Sequence, residues 1–454
     1  MSIMSKSAAK DMTAGSPTRL LLGFFFPMLF GMLFQQFYSM VDTIIVGKYL
    51  GVQALAAVGS TGSINFMIIG FCMGVCNGFA IPVAQKFGEK NFGLLRKFTA
   101  NGAWLAIAFA LVMTVVVCVL CRPILVWMRT PEDIIDGAYA YIFVIFLGIP
   151  ATYLYNMVSG IIRSLGDSRT PLVFLIISSI LNIALDLYMI IVLKMGVAGA
   201  AWATVIAQAV SGVCCLIFMM KRFEILHMTR EEAQPDRAIL WHLFNMGVPM
   251  GLQYSITAIG SVILQAAVNV LGSAAVAAMT AGTKIGMFFC CPFDAMGSTM
   301  ATYGGQNIGA RKLDRISAGM KVTVWMGLAY SLIALVVLGF FGRTIGLLFV
   351  DADQTEILGQ VHQFLVINAA FYFPLALVNI VRFMIQGMGY SKLAVLAGVC
   401  EMAARSVVGF TVPLFGYTAA CIASPMAWIA ADAFLIPSYL MIMKKLRKTM
   451  GERA

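Results

Sequence analysis

Residues 98–121 read FTANGAWLAIAFALVMTVVVCVLC, a run of 24 residues without a charged side chain. A helix needs about 20 apolar residues to cross the hydrocarbon of a bilayer. A run this long and this greasy has no place on a water-soluble surface. Similar runs recur on both sides of it and predict spans at 20–46, 54–84, 97–121, 134–160, 171–193 and 197–220. Six more follow at 239–270, 275–303, 317–341, 356–385, 393–413 and 417–441. Only short polar loops separate them. Composition agrees: 61% of residues are apolar and 11% charged, against roughly 45–50% and about 25% in soluble chains. The expected fold class is an all-α integral membrane protein of twelve transmembrane helices.

Basic residues orient the spans, because cytoplasmic loops retain Lys and Arg. With a cytoplasmic N-terminus, inner loops and tails hold 23 basic residues, from Lys6 to Arg453, and outer loops hold five: Lys48, Arg122, Arg129, Lys194 and Arg343. An even number of spans then puts both termini in the cytoplasm, and a multi-pass protein of the cell membrane is expected. The net charge of +11 belongs to that inner face, so nucleic acid is not an expected partner. Residues 1–19 are polar and lack the pattern of a secretory signal.

The longest polar stretch, KRFEILHMTREEAQPDR at 221–237, lies mid-chain, and the sequence repeats across it. Pro27 matches Pro249, Gly51 matches Gly272, and Gln85-x-x-Gly88 matches Gln306-x-x-Gly309, each glycine followed two positions on by a basic residue. Asn156, Gly166 and Ser168 match Asn379, Gly389 and Ser391. Offsets stay between 221 and 223. The expected domains are an N-lobe at 1–220, a cytoplasmic linker at 221–238 and a C-lobe at 239–454. Six helices per lobe make the repeat parallel, two pseudo-symmetric six-helix bundles flanking a central cleft.

Charges inside lipid are expensive and mark function. In the first repeat the intramembrane acids are Asp42 and Asp186. At about 1.5 Å per helical residue, they share a layer with Tyr141 and Thr204. Asn182 is one turn from Asp186, Tyr38 one turn from Asp42, and Gln208 one turn from Thr204. Two carboxyl groups in a low dielectric cannot both ionise comfortably unless a cation sits between them. That is the chemistry of a proton or Na⁺ switch; the plainer alternative is two acids that only hold helices together. The second repeat carries Lys284, Asp294, Glu401, Arg405 and Asp432. Glu401 and Arg405, four apart, read as a structural or gating ion pair. Lys284 and Asp294, with Gln35, Tyr38, Asn156 and Gln208, are candidate substrate contacts. Arg382, near the end of its span, is expected to snorkel.

Cys118-x-x-Cys121 stands alone, and the ten cysteines read as inert thiols without a disulfide framework. No phosphate loop, HExxH or loop large enough for a nucleotide domain occurs. The energy must then come from an ion gradient or from the substrate's own, without a cofactor or nucleotide-binding subunit. The three histidines, His227, His242 and His362, fall in or near loops, so no enzyme is expected.

The runs VDTIIVGKYLGVQALAAVG (41–59), RSLGDSRTP (163–171), NIALDLYM (182–189) and GVAGAAWATVIAQ (196–208) resemble the multidrug and toxic compound extrusion (MATE) family. The resemblance covers essentially the whole chain. It implies an H⁺- or Na⁺-coupled antiporter that exports amphipathic, mostly cationic compounds by rocking two lobes, and a monomer is expected. It places the coupling-cation site on Asp42, Asn182, Asp186, Thr204 and Tyr141, with Tyr139 as the alternative tyrosine; Na⁺, if used, would sit at Asp42, Asn182 and Asp186. One branch of the family has a C-lobe cation site with acids on helices 7 and 10. Here those helices read PMGLQYSITAIGS and FPLALVNIVRF, without an acid. A lipid-linked precursor flippase of the related superfamily is the competing expectation, with Lys284, Arg382 and Arg405 available for a pyrophosphate.

Overall fold

The computed structural model describes residues 9–450; Lys6 and Arg453, counted above among the inner charges, lie outside them. Hydrocarbon offers a peptide group no hydrogen-bond partner, so each spanning segment must close its own bonds as a helix. Fifteen helices result, and no strand occurs among the described residues. The first repeat holds α1 (Pro17–Leu50), α2 (Val52–Ser60), α3 (Gly62–Gly88), α4 (Phe92–Trp127), α5 (Ile135–Leu147), α6 (Ile149–Ser164), α7 (Arg169–Leu187) and α8 (Val197–Arg222). The second holds α9 (Arg237–Asn269), α10 (Ser273–Gly309), α11 (Leu313–Gly346), α12 (Thr355–Ala370), α13 (Tyr372–Gly387), α14 (Ser391–Phe415) and α15 (Tyr417–Met450).

Ten helices are long and apolar enough to span, and twelve spans result when each bent pair counts as one. The bent pairs are α5 with α6, at 45°, and α12 with α13, at 51°. Their breaks, at Gly148 and Phe371, are 223 residues apart, the offset already seen in the sequence. The span expected at 54–84 is instead interrupted at Thr61, between α2 and α3, whereas its counterpart α10 is continuous. Helix α1 continues through Pro27 and α9 through Pro249.

The repeat extends to backbone conformation. Gly51 and Gly272, Gly166 and Gly389, and Gly196 and Gly416 all have positive φ, as do the basic residues Lys90 and Arg311. At Gly166 a side chain is impossible: its Cβ would overlap the Lys10 carbonyl, whose residue donates its own N–H to Leu165 O at 2.7 Å.

By contacts the chain forms two units. One comprises residues through Asp11 with Phe30–Tyr254, the other Met12–Leu29 with Ser255–Ala454. These units therefore differ from the sequence halves at α1 and α9, each of which is divided along its length. In the first unit α9 packs on α3 backbone to backbone. A Cβ on Gly74 would lie 2.5 Å from Met250 O, and one on Gly78 would lie 2.5 Å from Gly247 Cα. Glycines spaced by four allow this approach, and van der Waals contact then holds the helices where lipid supplies no hydrophobic drive. In the second unit the repeated Gln306 accepts from Met12 N at 2.8 Å. Lys312 donates to Thr13 O, and Arg315 to Gly15 O, both at 2.8 Å. Phe293, Tyr330, Tyr372 and Trp428 form its aromatic centre, with ring centroids 5.1–6.2 Å apart.

The polar linker is docked on α4. Arg96 grips Glu232 through two hydrogen bonds, at 2.7 and 2.8 Å. Trp104 donates to Ala233 O at 2.9 Å, and Asn101 accepts from Asp236 N at 2.7 Å. Thr229 and Glu232 form a reciprocal capping box. The Arg96 guanidinium, helped by the Thr229 N–H, holds the Glu232 carboxyl down at about 2.

Two expectations follow. Gly74→Val or Gly78→Val should destabilise the purified protein by about 1–3 kcal/mol through overpacking, read as a lower melting temperature in detergent. Gly339→Ala, with open space around it, should leave that temperature nearly unchanged; equal shifts at all three would refute the close-packing account. A carboxyl held below its ordinary value stabilises its docked state above that value and loses the contribution as pH falls. Linker docking should therefore hold above about pH 4.5 and weaken towards pH 2. Amide exchange across residues 229–236 should accelerate on acidification in the native protein, and Arg96→Gln should flatten that dependence.

Candidate functional site

Four helices of the first unit deliver the site. Tyr38 and Asp42 stand one turn apart on α1, Tyr141 on α5, Asn182 and Asp186 on α7, and Thr204 on α8. Asp186 is fully buried, Asn182 2% exposed and Tyr141 8% exposed. The carboxyl groups of Asp42 and Asp186 lie close enough to act on each other electrostatically, and both act on Tyr38 and Tyr141. Asn182 Nδ2 donates to Thr204 Oγ1 at 3.3 Å, and Thr204 Oγ1 donates to Ala200 O at 3.1 Å. That chain fixes the amide with its carbonyl oxygen free.

Four buried oxygens consequently have no hydrogen-bond partner in the protein: Asp42 Oδ1, Asn182 Oδ1 and both Asp186 oxygens. Oxygens left so in a buried place can receive a proton, a water molecule or a hard cation. All four belong to residues named from the sequence. Tyr139, the alternative tyrosine, stacks on Phe143 at 5.3 Å and lies under Arg122. Tyr141 is the tyrosine beside the acids. Directly after Asp186 the chain forms a π-helical turn, Tyr188–Val192. Such turns recur at functional sites, and no feature of the sequence announced this one.

The other candidates fall in separate places. Thr152 joins Gln208 to Asn156: its hydroxyl donates to Gln208 Oε1 at 2.9 Å, and its carbonyl accepts from Asn156 Nδ2 at 2.9 Å. Gln35 is exposed on α1. Lys284 and Asp294 are exposed on α10, on one stripe with Thr280 and Met287. Charged side chains in the middle of an apolar spanning helix are costly to leave facing lipid.

Arg382 corrects the sequence reading. It is 6% exposed and does not snorkel; it pairs with Glu401, on α14. Glu401 reaches Arg405 as well, at 3.7 Å. The expected Glu401–Arg405 pair is thus the looser side of a triad. A partner 19 residues away on another helix has no periodic signature, so sequence spacing finds only the pair within α14. The ten cysteines are unpaired.

Comparison with known proteins agrees with this architecture. The sequence model of the MatE family matches residues 27–188 and 249–411, one match in each repeat. A "Probable multidrug resistance protein YoeA" of Bacillus subtilis (strain 168) is 28% identical over 339 residues, covering 73% of each chain. An "FAD transporter" of Shewanella oneidensis is 23% identical over 370 residues, covering 80% of each. A solved structure described as the outward-facing conformation of a multidrug resistance MATE family transporter superposes with a TM-score of 0.90. It is 21% identical, and the match covers 96% of this chain and 98% of that one. With its twelve spans, its internal repeat and a family match in each half, the chain belongs to the MatE family, the multidrug and toxic compound extrusion transporters.

Proposed function

We propose that the protein is a cation-coupled antiporter of the cell membrane that exports amphipathic, mostly cationic compounds, with Asp42 and Asp186 carrying the coupling H⁺ or Na⁺. The observation that supports it is the meeting of these two acids, 144 residues apart in sequence, in one buried site whose oxygens lack protein partners. The names of the relatives, several of them multidrug resistance or export proteins, point the same way.

The chemistry is a switch in charge. With a proton or Na⁺ bound, the paired carboxyls tolerate burial and α1 packs against α7. Emptied, the two charges repel and draw water, and α1 must shift to relieve them. A ligand moves such an equilibrium only by binding its two states unequally, and the acid pair supplies that inequality. Thr204 holds the Asn182 amide in place, and Tyr38 and Tyr141 stand beside the acids. The basic residues of the inner loops put both termini in the cytoplasm, so the cation enters down its gradient as substrate leaves.

Ethidium efflux from energised vesicles, driven separately by ΔpH and by a Na⁺ gradient, tests this. One gradient should drive efflux, and Asp42→Asn and Asp186→Asn should each reduce it by at least about tenfold, since each removes a charge that the coupling step requires. Thr204→Ala should have a smaller effect. Full activity in Asp42→Asn would sink the coupling role, and transport independent of both gradients would sink antiport.

A further inference from the structure

The two repeats carry different charges at equivalent positions. By the offset of 223 that relates Ser168 to Ser391, Asn182 falls on Arg405 and Asp186 on Gly409. By the offset of 222 that relates Pro27 to Pro249, Tyr38 falls on Gly260 and Asp42 on Leu264. Where the first repeat sets an amide beside two acids, the second sets a guanidinium with no acid at either matching position.

The exchange is accommodated in space. A Cβ on Gly260 would lie 3.4 Å from Arg405 Nη1 and 3.5 Å from its Cδ. Gly260 thus lies directly against the Arg405 side chain. Arg405 is 7% exposed, and its only ion pair among the described residues is the long one to Glu401. Glu401 is itself held more closely by Arg382. Arg405 Nη1 and Arg382 Nε have no hydrogen-bond partner. Asp294 and Asp432 lie within electrostatic range of Arg382, yet neither forms an ion pair among the described residues.

One glutamate serving two arginines leaves guanidinium N–H groups buried and unsatisfied, at a cost that a purely structural pair would avoid. An arginine kept only to hold α14 in place would be saturated. The planar fork of N–H donors fits the oxygens of a carboxylate or phosphate. We propose that Arg405, backed by Arg382, is an anion-receiving subsite of the second repeat that takes the carboxylate or phosphate of a transported amphipathic compound. The inference rests on the exporter reading above and extends its substrates to compounds that carry an acid group beside, or in place of, a cation.

A rhodamine with a free carboxylate and its methyl ester form a matched pair that differs only in the group of interest. In liposomes of zwitterionic lipid, Arg405→Gln should lower the ratio of acid to ester transport by about tenfold, the loss expected for one hydrogen bond to a charged group. Arg405→Lys should restore part of it. For native protein in detergent, inorganic phosphate should displace the acid and spare the ester, a measurement that needs no variant. An unchanged ratio in Arg405→Gln, or phosphate that displaces both dyes alike, would overturn the subsite. A ratio change seen only when anionic lipid is added would assign the arginines to a lipid headgroup and overturn the substrate role. Failure of native protein to move even the ester under any gradient would strike the exporter reading itself.

Discussion

Inside a bilayer a polar group has only the protein to bond to. That constraint organises this molecule at every scale. Backbone amides satisfy themselves along helices of up to 37 residues, and irregular backbone is confined to short breaks such as Thr61, Gly148 and Phe371. Side-chain hydroxyls and amides return to carbonyls one turn back, as Thr114, Ser179 and Asn368 do. A polar atom left without a partner in such a setting is costly. The unpartnered oxygens of Asp42, Asn182 and Asp186 and the N–H groups of Arg382 and Arg405 are the exceptions on which the proposed coupling and anion sites rest.

The same solvent removes the hydrophobic drive between helices. Close backbone approach replaces it, and glycines decide where that is allowed. The α3–α9 contact through Gly74, Gly78, Gly247 and Gly251 is as specific as a salt bridge would be in water, because any side chain there must push two backbones apart. Duplication then supplied two copies of one scaffold. The matching positive-φ glycines and the paired breaks at Gly148 and Phe371 show that the backbone was kept. The polar groups were not: the acid pair of the first repeat has no counterpart, and the second repeat has gained Arg405 beside Gly260. The scaffold was thus kept while its charges changed.

The fold was largely legible in the sequence because its signal is long and redundant. Twenty-residue apolar runs, the 221–223 offset and the excess of basic residues on one side each point to the same architecture. The first-repeat site was legible too, since acids inside apolar runs are rare enough that Asp42 and Asp186 stand out, and the helical period brings Tyr38 and Asn182 onto their faces. Other features were harder to read. The interruption at Thr61 follows no proline, and the π turn after Asp186 follows no breaker. The linker 221–238 reads as a plain polar connection, yet Arg96, Asn101 and Trp104 fasten it to α4.

The sequence by itself determined the solvent, the number of spans, the repeat and the acids at the centre of the first site, because each is a property of local composition or of one chain compared with itself. Only the tertiary structure decided that Asp42 meets Asp186, that Tyr141 and not Tyr139 joins them, and that Arg382 is buried against Glu401. The reason is physical: helical periodicity fixes which face a residue occupies, whereas the neighbour that face meets is set by how closely separate helices approach and rotate. Those quantities belong to packing between distant segments, and no window of the sequence contains them.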